Sequence, residues 1–299
     1  MILGGIEAGG TKFLCLVADG DGVILAQERF PTRGPDETMA GVVAFFLRAR
    51  DGGIGPDAIG IGTFGPVELR AGAGHGRIMA TPKPGWEGTD LVGPLRDALD
   101  VPIALDTDVN AAALGEWRLG AARGLHTFIY MTVGTGIGAG ALVGGRPMHG
   151  LVHPEMGHVS VPREPDDDFP GLCPFHGACF EGMASGSAVA ARWGSPAEEL
   201  DAATLARATD LEARYLAAGI RNLVYAIAPE RVVIGGGIVN LPGLLPAVRR
   251  RLIELVGSYP GLPEHGQEAF VTMAGLGQDA GPRGTLVLAE MAATGAAPG

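Results

Sequence analysis

The densest chemistry in this sequence lies in "GHVSVPREPDDDFPGLCPFHGACFEG", which holds two of the chain's three cysteines and two of its seven histidines. Cys173-x-x-His176-x-x-Cys179 places three soft or borderline ligands in one short loop, and His158 or His153 upstream can supply a fourth. Two thiolates with two imidazoles suit a closed, tetrahedral, structural zinc site. "HPEMGH" is not the zinc-protease motif, because its histidines are spaced differently and a proline follows the first. The aspartate run 166–168 reads as a solvated loop rather than a calcium site. Cys15, within a strand-like stretch, reads as core.

A second kind of chemistry resides in three glycine clusters, "GIEAGGTK", "TVGTGIGAG" and "VVIGGGIVN". Glycine-rich hairpin tips expose backbone N–H groups that an anion can approach closely. No P-loop string occurs. A dinucleotide fingerprint is excluded because strand-like sequence, not a helix, follows the first two clusters. Two such tips facing each other would hold a triphosphate from both sides.

The elements that must carry these groups can be read from periodicity. Strands are expected on either side of the first glycine turn and again on either side of the second, a duplication near residues 5–20 and 131–146. "AIGIGTFGPV" is expected to form a buried strand entering a Gly-Pro turn. "VPIALDTDVNAAALGEW" is expected to form a strand that meets an alanine-rich helix at Asp106–Asp108. A strand runs into Gly235–Gly237, followed by a helix from about Leu244, a strand near Phe270 and a last helix.

Composition sets the outer limits. The 299 residues are 46 % hydrophobic and 18 % charged, with a net charge of −11. That balance argues for a packed, two-domain chain and against both extended disorder and a phosphate-backbone binder. Three cysteines suit a reducing compartment. With no bilayer-length apolar run and no leader at the N-terminus, a cytoplasmic protein without a membrane partner is expected.

The glycine clusters resemble the first phosphate, second phosphate and adenosine motifs of the actin-like sugar kinases. "HPEMGH" with the Cys/His cluster is similar to the ROK branch (repressors, open reading frames, kinases). "TPKPGW" and "CPFHGACFEGMASG" look most like its bacterial fructokinases. The resemblance implies an α/β fold of the actin-like ATPase, ribonuclease H-like type, with two domains around a cleft. The domains are expected at 1–112 and 113–283, with a last helix at 284–299 packing back onto the first. It further implies ATP with magnesium, transfer of phosphate to a hexose, and a homodimer. The first motif begins at residue 5, which leaves no room for the DNA-binding domain of ROK repressors, so no nucleic-acid partner is expected.

Site residues follow from the same resemblance. ATP falls to Gly9, Gly10, Thr11, Lys12, Thr135, Gly136, Gly235, Gly236, Gly237 and Ile238. Asp108 matches the catalytic aspartate, with Thr107 standing where the family has an asparagine. Read without the family, Asp108 would be a helix N-cap, and Asp106 is the rival carboxylate. Glu155, His158 and Glu181 match the sugar-gripping residues, and His158 rather than His153 completes the zinc set with Cys173, His176 and Cys179. Glu7 replaces the usual aspartate, with a water-mediated magnesium contact or a Lys12 salt bridge as its two readings. Fructose phosphorylated at its 6-hydroxyl is the expected reaction. A broader mannokinase or glucokinase and a non-catalytic sugar sensor are the alternatives, and a nicotinamide oxidoreductase is disfavoured by the strands that follow the glycine turns.

Overall fold

The computed structural model describes residues 1–259 and 261–295. Strands β1 (Ile2–Ala8) and β2 (Lys12–Asp19) form an antiparallel hairpin, closing at the Ala8–Phe13 pair. At the next turn Asp19 Oδ1 accepts the N–H groups of Asp21 and Val23, and Gly22 adopts φ 79°; the chain then returns as β3 (Ile24–Pro31). β4 (Ala58–Thr63) pairs parallel with β1, and β5 (Ile103–Thr107) parallel with β4. The order is β3-β2-β1-β4-β5. Every residue of β4 is buried, as a parallel strand covered on both faces requires.

Strand alternation divides the packing. Phe13, Cys15 and Val17 join Val42 and Phe46 of helix α1 (Pro35–Asp51) in one core. Leu14, Leu16 and Ala18 join Leu286 and Ala289 of the last helix, α8 (Ala280–Thr294), in another. Helix α2 (Gly93–Leu99) lies between β4 and β5 in the chain, and α3 (Asp108–Leu119) follows β5. Close approach holds α8 in place. A Cβ on Gly60 would lie 1.9 Å from Thr285 O, and one on Gly284 would lie 1.6 Å from Ala111 O of α3.

The chain forms two compact units, one of residues 1–123, 146–154 and 278–299, the other of 124–145 and 155–277. The break falls after Arg123 rather than after residue 112, because α3 is clamped to α8 through Gly115 and Gly284 and stays with the first sheet. α8 begins at Ala280, ahead of the expected 284, and residues 296–299 of that expectation lie outside the described residues. A two-residue strand, β8 (Arg146–Pro147), belongs to the first unit.

In the second unit β6 (Phe128–Val133) and β7 (Ile137–Val143) repeat the antiparallel hairpin, closing at Val133–Ile137. β9 (Arg231–Gly235) pairs parallel with β6, and β10 (Val271–Met273) parallel with β9. The unit's strands therefore run β10-β9-β6-β7, the same pattern as β5-β4-β1-β2. Helices α4 (Phe180–Ala184) and α5 (Gly186–Trp193) precede the long α6 (Ala202–Ile227), and α7 (Leu244–Val256) follows β9. Met131, Val133, Ile234, Leu216, Ile220 and Val248 share one core.

The aspartate run is a loop with Asp166 and Asp168 exposed, as expected, but its middle residue is not solvated. Asp167 is 7 % exposed, accepts the Tyr215 hydroxyl at 2.6 Å and lies 3.2 Å from the Arg192 guanidinium. Asp166 takes two hydrogen bonds from Arg214, at 2.6 and 2.9 Å. These partners come from α5 and α6, so the run anchors its loop to both helices. Among the described residues no helix is long and apolar enough to cross a membrane.

Candidate active site and metal centre

At the β5–α3 junction the two rival aspartates are separated by their surroundings. Asp106 is fully buried: Oδ1 accepts Thr107 N–H (2.7 Å) and Asn110 Nδ2 (2.8 Å), and Oδ2 lies 2.9 Å from His149 Nε2. The hydrogen bond to Asp106 raises the His149 pKa above its ordinary value, against the opposing effect of burial. His153 is pushed the other way by burial, and its Nε2 accepts Val67 N–H at 3.1 Å. Asp108, by contrast, is partly exposed, with Oδ1 accepting Val109 N–H at 2.8 Å. The helix cap is Thr107, whose buried hydroxyl accepts Asn110 N–H at 3.2 Å; Asp108 is the first helical residue, where a negative charge suits the helix dipole. Asp106 ends a strand, Asn110 lies in the helix that follows and His149 is 39 residues further on, so no local sequence pattern marks this network.

The tip of the β1–β2 hairpin closes with Gly9 N–H on Lys12 O at 3.0 Å, and Thr32 braces it through Gly9 O (2.7 Å) and Thr11 O (2.9 Å). A Cβ on Gly10 would meet nothing within 4 Å, so the tip is open on that side. Glu7 makes no salt bridge with Lys12; a Cβ on Gly281, in the first turn of α8, would lie 2.4 Å from its Oε1. Burial raises the Glu7 pKa, while Lys12 and Arg29 oppose that rise.

The β6–β7 tip is built differently. Gly134 N–H bonds to Gly136 O (3.0 Å), Gly186 N–H at the start of α5 bonds to Gly134 O (2.7 Å), and Thr135 is exposed between them. Glu181 Oε2 accepts Ile137 N–H at 2.9 Å, and a Cβ on Gly136 would lie 2.6 Å from that same oxygen. At the end of β9, Gly236 adopts φ 93°, and a Cβ there would lie 2.3 Å from Val133 O. Gly235 is crowded by the Tyr130 hydroxyl, Gly237 has open space, and Ile238 is buried.

His158, Cys173, His176 and Cys179 converge, with one ligand atom from each lying within 4.8 Å of the others. His158 Nδ1 is 3.5 Å from Cys179 Sγ and 3.7 Å from Cys173 Sγ, and His176 Nδ1 is 3.8 Å from Cys173 Sγ. Metal–sulfur and metal–nitrogen bonds of about 2.3 and 2.0 Å give a tetrahedral S···N edge of about 3.5 Å, so the donor set fits a zinc-sized ion. As a free thiol Cys179 is pushed up to about 11, chiefly by burial, a penalty that a cation among these ligands would offset. His158 turns its other nitrogen, Nε2, toward Glu155 Oε2 at 4.0 Å. One imidazole can thus ligate a metal through Nδ1 and face a carboxylate or a hydroxyl through Nε2. Burial raises the Glu155 pKa, and the nearby Glu181 adds to the effect.

The ROK family model matches residues 3–292. A fructokinase from Zymomonas mobilis is 46 % identical over 291 residues, 96 % of each chain. The crystal structure of a ROK hexokinase from Thermus thermophilus is 31 % identical, with a TM-score of 0.78 over 97 % of this chain and 98 % of that one. A ROK glucokinase from Streptomyces griseus, solved with glucose and AMPPNP, is 26 % identical, with a TM-score of 0.71 over 97 % of this chain and 100 % of that one. The repeated sheet pattern is the actin-like ATPase fold of these sugar kinases, and the chain belongs to the ROK family.

Proposed function

We propose that this protein is an ATP-dependent hexose kinase that converts fructose to fructose 6-phosphate. The observation that carries the choice of sugar is the 46 % identity with a fructokinase over 96 % of both chains, set against 30 % with a glucokinase over 93 % of this chain. Asp108 is the general base: partly exposed, in the first turn of α3, with one oxygen fixed by Val109 N–H. As the sugar oxygen bonds to the γ-phosphorus, Asp108 takes the hydroxyl proton and ADP leaves with the electron pair of the broken P–O bond. Glu155, His158 and Glu181 hold the sugar, with Thr107 beside the base. The nucleotide is held by Gly9, Gly10, Thr11, Lys12, Thr135, Gly136, Gly235, Gly236, Gly237 and Ile238.

Magnesium arriving with ATP would neutralise phosphate charge. Zinc held by His158, Cys173, His176 and Cys179 would be structural, fixing the loop that carries Glu181 and the ring of His158. The proposed assembly is a cytoplasmic homodimer without nucleic-acid partners, its size to be read by light scattering.

A coupled assay for ADP release across fructose, mannose and glucose tests the reading. Preference for fructose is expected. Equal use of mannose or glucose would favour a broader hexokinase, and tight sugar binding without ADP release would favour a sensor.

A further inference from the structure

Lysine is nearly absent from this chain. Among its 22 lysines and arginines only Lys12 and Lys83 are lysine. Both belong to one place. Lys12 opens β2 at the first glycine tip, and its carbonyl closes that tip. Lys83 arrives from "TPKPGW" and donates its Nζ to Gly10 O at 2.5 Å.

The loop that brings Lys83 there is firmly seated. Pro82 and Pro84 restrict the backbone on either side of the lysine. Trp86 is fully buried, donates Nε1–H to Arg33 O at 3.0 Å, and packs its ring against Phe13 (5.6 Å) and Phe64 (5.3 Å). Phe13 is the residue that closes the β1–β2 hairpin in register with Ala8. Upstream, Met79 N–H bonds to Pro66 O at 2.8 Å. The loop is therefore docked on the base of the hairpin whose tip its lysine reaches.

A neutral carbonyl occupies one of the three donors of an ammonium group and leaves two for a further acceptor. Among the described residues no acceptor takes the N–H of Gly10 or Thr11. Two outward amides, an open face at Gly10 and a lysine ammonium make a cradle for an oxyanion. In a chain of net charge −11 a polyanion needs such local positive charge to be admitted. A chain that otherwise relies on arginine keeps lysine here, where a compact, mobile point charge suits a phosphate that changes shape during transfer.

We propose that Lys83 is a nucleotide-binding residue, its ammonium contacting the polyphosphate at the β1–β2 tip while it remains tied to the Gly10 carbonyl. This rests on the nucleotide reading of that hairpin given above.

The scarcity of lysine makes the test direct on the unmodified protein. The chain is treated with an amine-reactive acylating reagent, with and without ADP, ATP, adenosine or fructose, and Lys83 labelling is followed by peptide mass mapping. ADP and ATP should slow its labelling about tenfold, and adenosine and fructose should leave it unchanged. Lys83→Met should weaken ADP binding by about tenfold or more in calorimetry, leaving adenosine binding and melting temperature at wild-type values, and Lys83→Arg should restore part of the loss. Labelling unaffected by ADP, or equal losses of ADP and adenosine affinity in Lys83→Met, would overturn the assignment of Lys83 alone. A wild-type protein that binds no adenine nucleotide would overturn the parent reading and this one with it.

Discussion

The two glycine hairpins have the same place in the same strand pattern, and they are finished in opposite ways. The β1–β2 tip is braced from behind by Thr32 and left open in front, where a Cβ on Gly10 would meet nothing within 4 Å. The β6–β7 tip is tied to the protein itself: Gly186 N–H holds Gly134 O, and the Glu181 carboxylate holds Ile137 N–H and crowds Gly136. Glu181 stands two residues after Cys179, so the second hairpin is mechanically joined to the Cys/His loop. One hairpin is braced yet keeps an open face for a ligand. The other is shaped by the loop beside it, and whatever disturbs that loop reaches the turn as well.

The largest effect should separate chemistry from grip. Asp108→Asn preserves shape and the helix start while removing the proton acceptor, so turnover should fall by about 100-fold or more with nucleotide affinity nearly unchanged. Asp106→Asn is the control. Sugar-dependent turnover at the wild-type rate in folded Asp108→Asn would remove the base from the mechanism.

Next comes the contrast between the tips. Gly10→Val should raise the ATP requirement by about tenfold or more and leave the fructose requirement alone, because the new side chain fills only the open side of the turn. Gly136→Val should raise both, since its Cβ would displace the Glu181 oxygen that lies 2.6 Å away. Steady-state titration of each substrate decides. If Gly136→Val proved as selective for ATP as Gly10→Val, the two tips would be equivalent after all.

Cys179→Ser should yield less than one zinc per chain by elemental analysis, lower the melting temperature by about 5 °C or more, and weaken sugar binding. Because Glu181 also holds Ile137 N–H, a smaller loss of ATP affinity should accompany it. Wild-type protein purified without chelator yet free of zinc would dispose of the metal. A zinc-free mutant with normal sugar affinity would dispose of its link to the site.

How much of this could be read from sequence depended on reach along the chain. The metal ligands cluster because three of them are close neighbours, and the glycine tips are visible because a strand–turn–strand pattern is local. Asp167 departs from a solvated position through its partners, Arg192 and Tyr215, which are 25 and 48 residues away, and a run of acids carries no mark of guanidinium groups folding over it. The Glu181 bond to Ile137 spans 44 residues and that of Lys83 to Gly10 spans 73. In both cases the motif is local and its contact is not. Thr107 took the capping role from Asp108 by a shift of one residue, the usual margin at a helix start.

The smallest expected effect belongs to the junction beneath Asp108. His149 gains the Asp106 carboxylate on folding, so its pKa lies above the ordinary 6.5. The sign follows: the stabilisation is complete below pH 6.5 and is lost as pH rises through the folded value. His153, depressed by burial, contributes with the opposite sign, its stabilisation present above 6.5 and lost as pH falls through its folded value, so the wild-type curve alone would mix the two. The difference between wild type and His149→Asn isolates the first: it should be present at pH 6 and shrink above neutrality, by denaturant unfolding across pH. A difference that grew with pH would mean that His149 is held neutral.

The glycine contacts that seat α8 also set an order of events during synthesis. Gly60 on β4 and Ala111 on α3 are completed by Thr285 and Gly284, residues that leave the ribosome long after them. The first unit must therefore wait, with one face of its sheet uncovered, while residues 124–277 are translated. The second unit has its own sheet and core and can fold in that interval. The part made first is finished last, and a chain halted before residue 280 would carry an exposed apolar sheet face for chaperones or proteases to find.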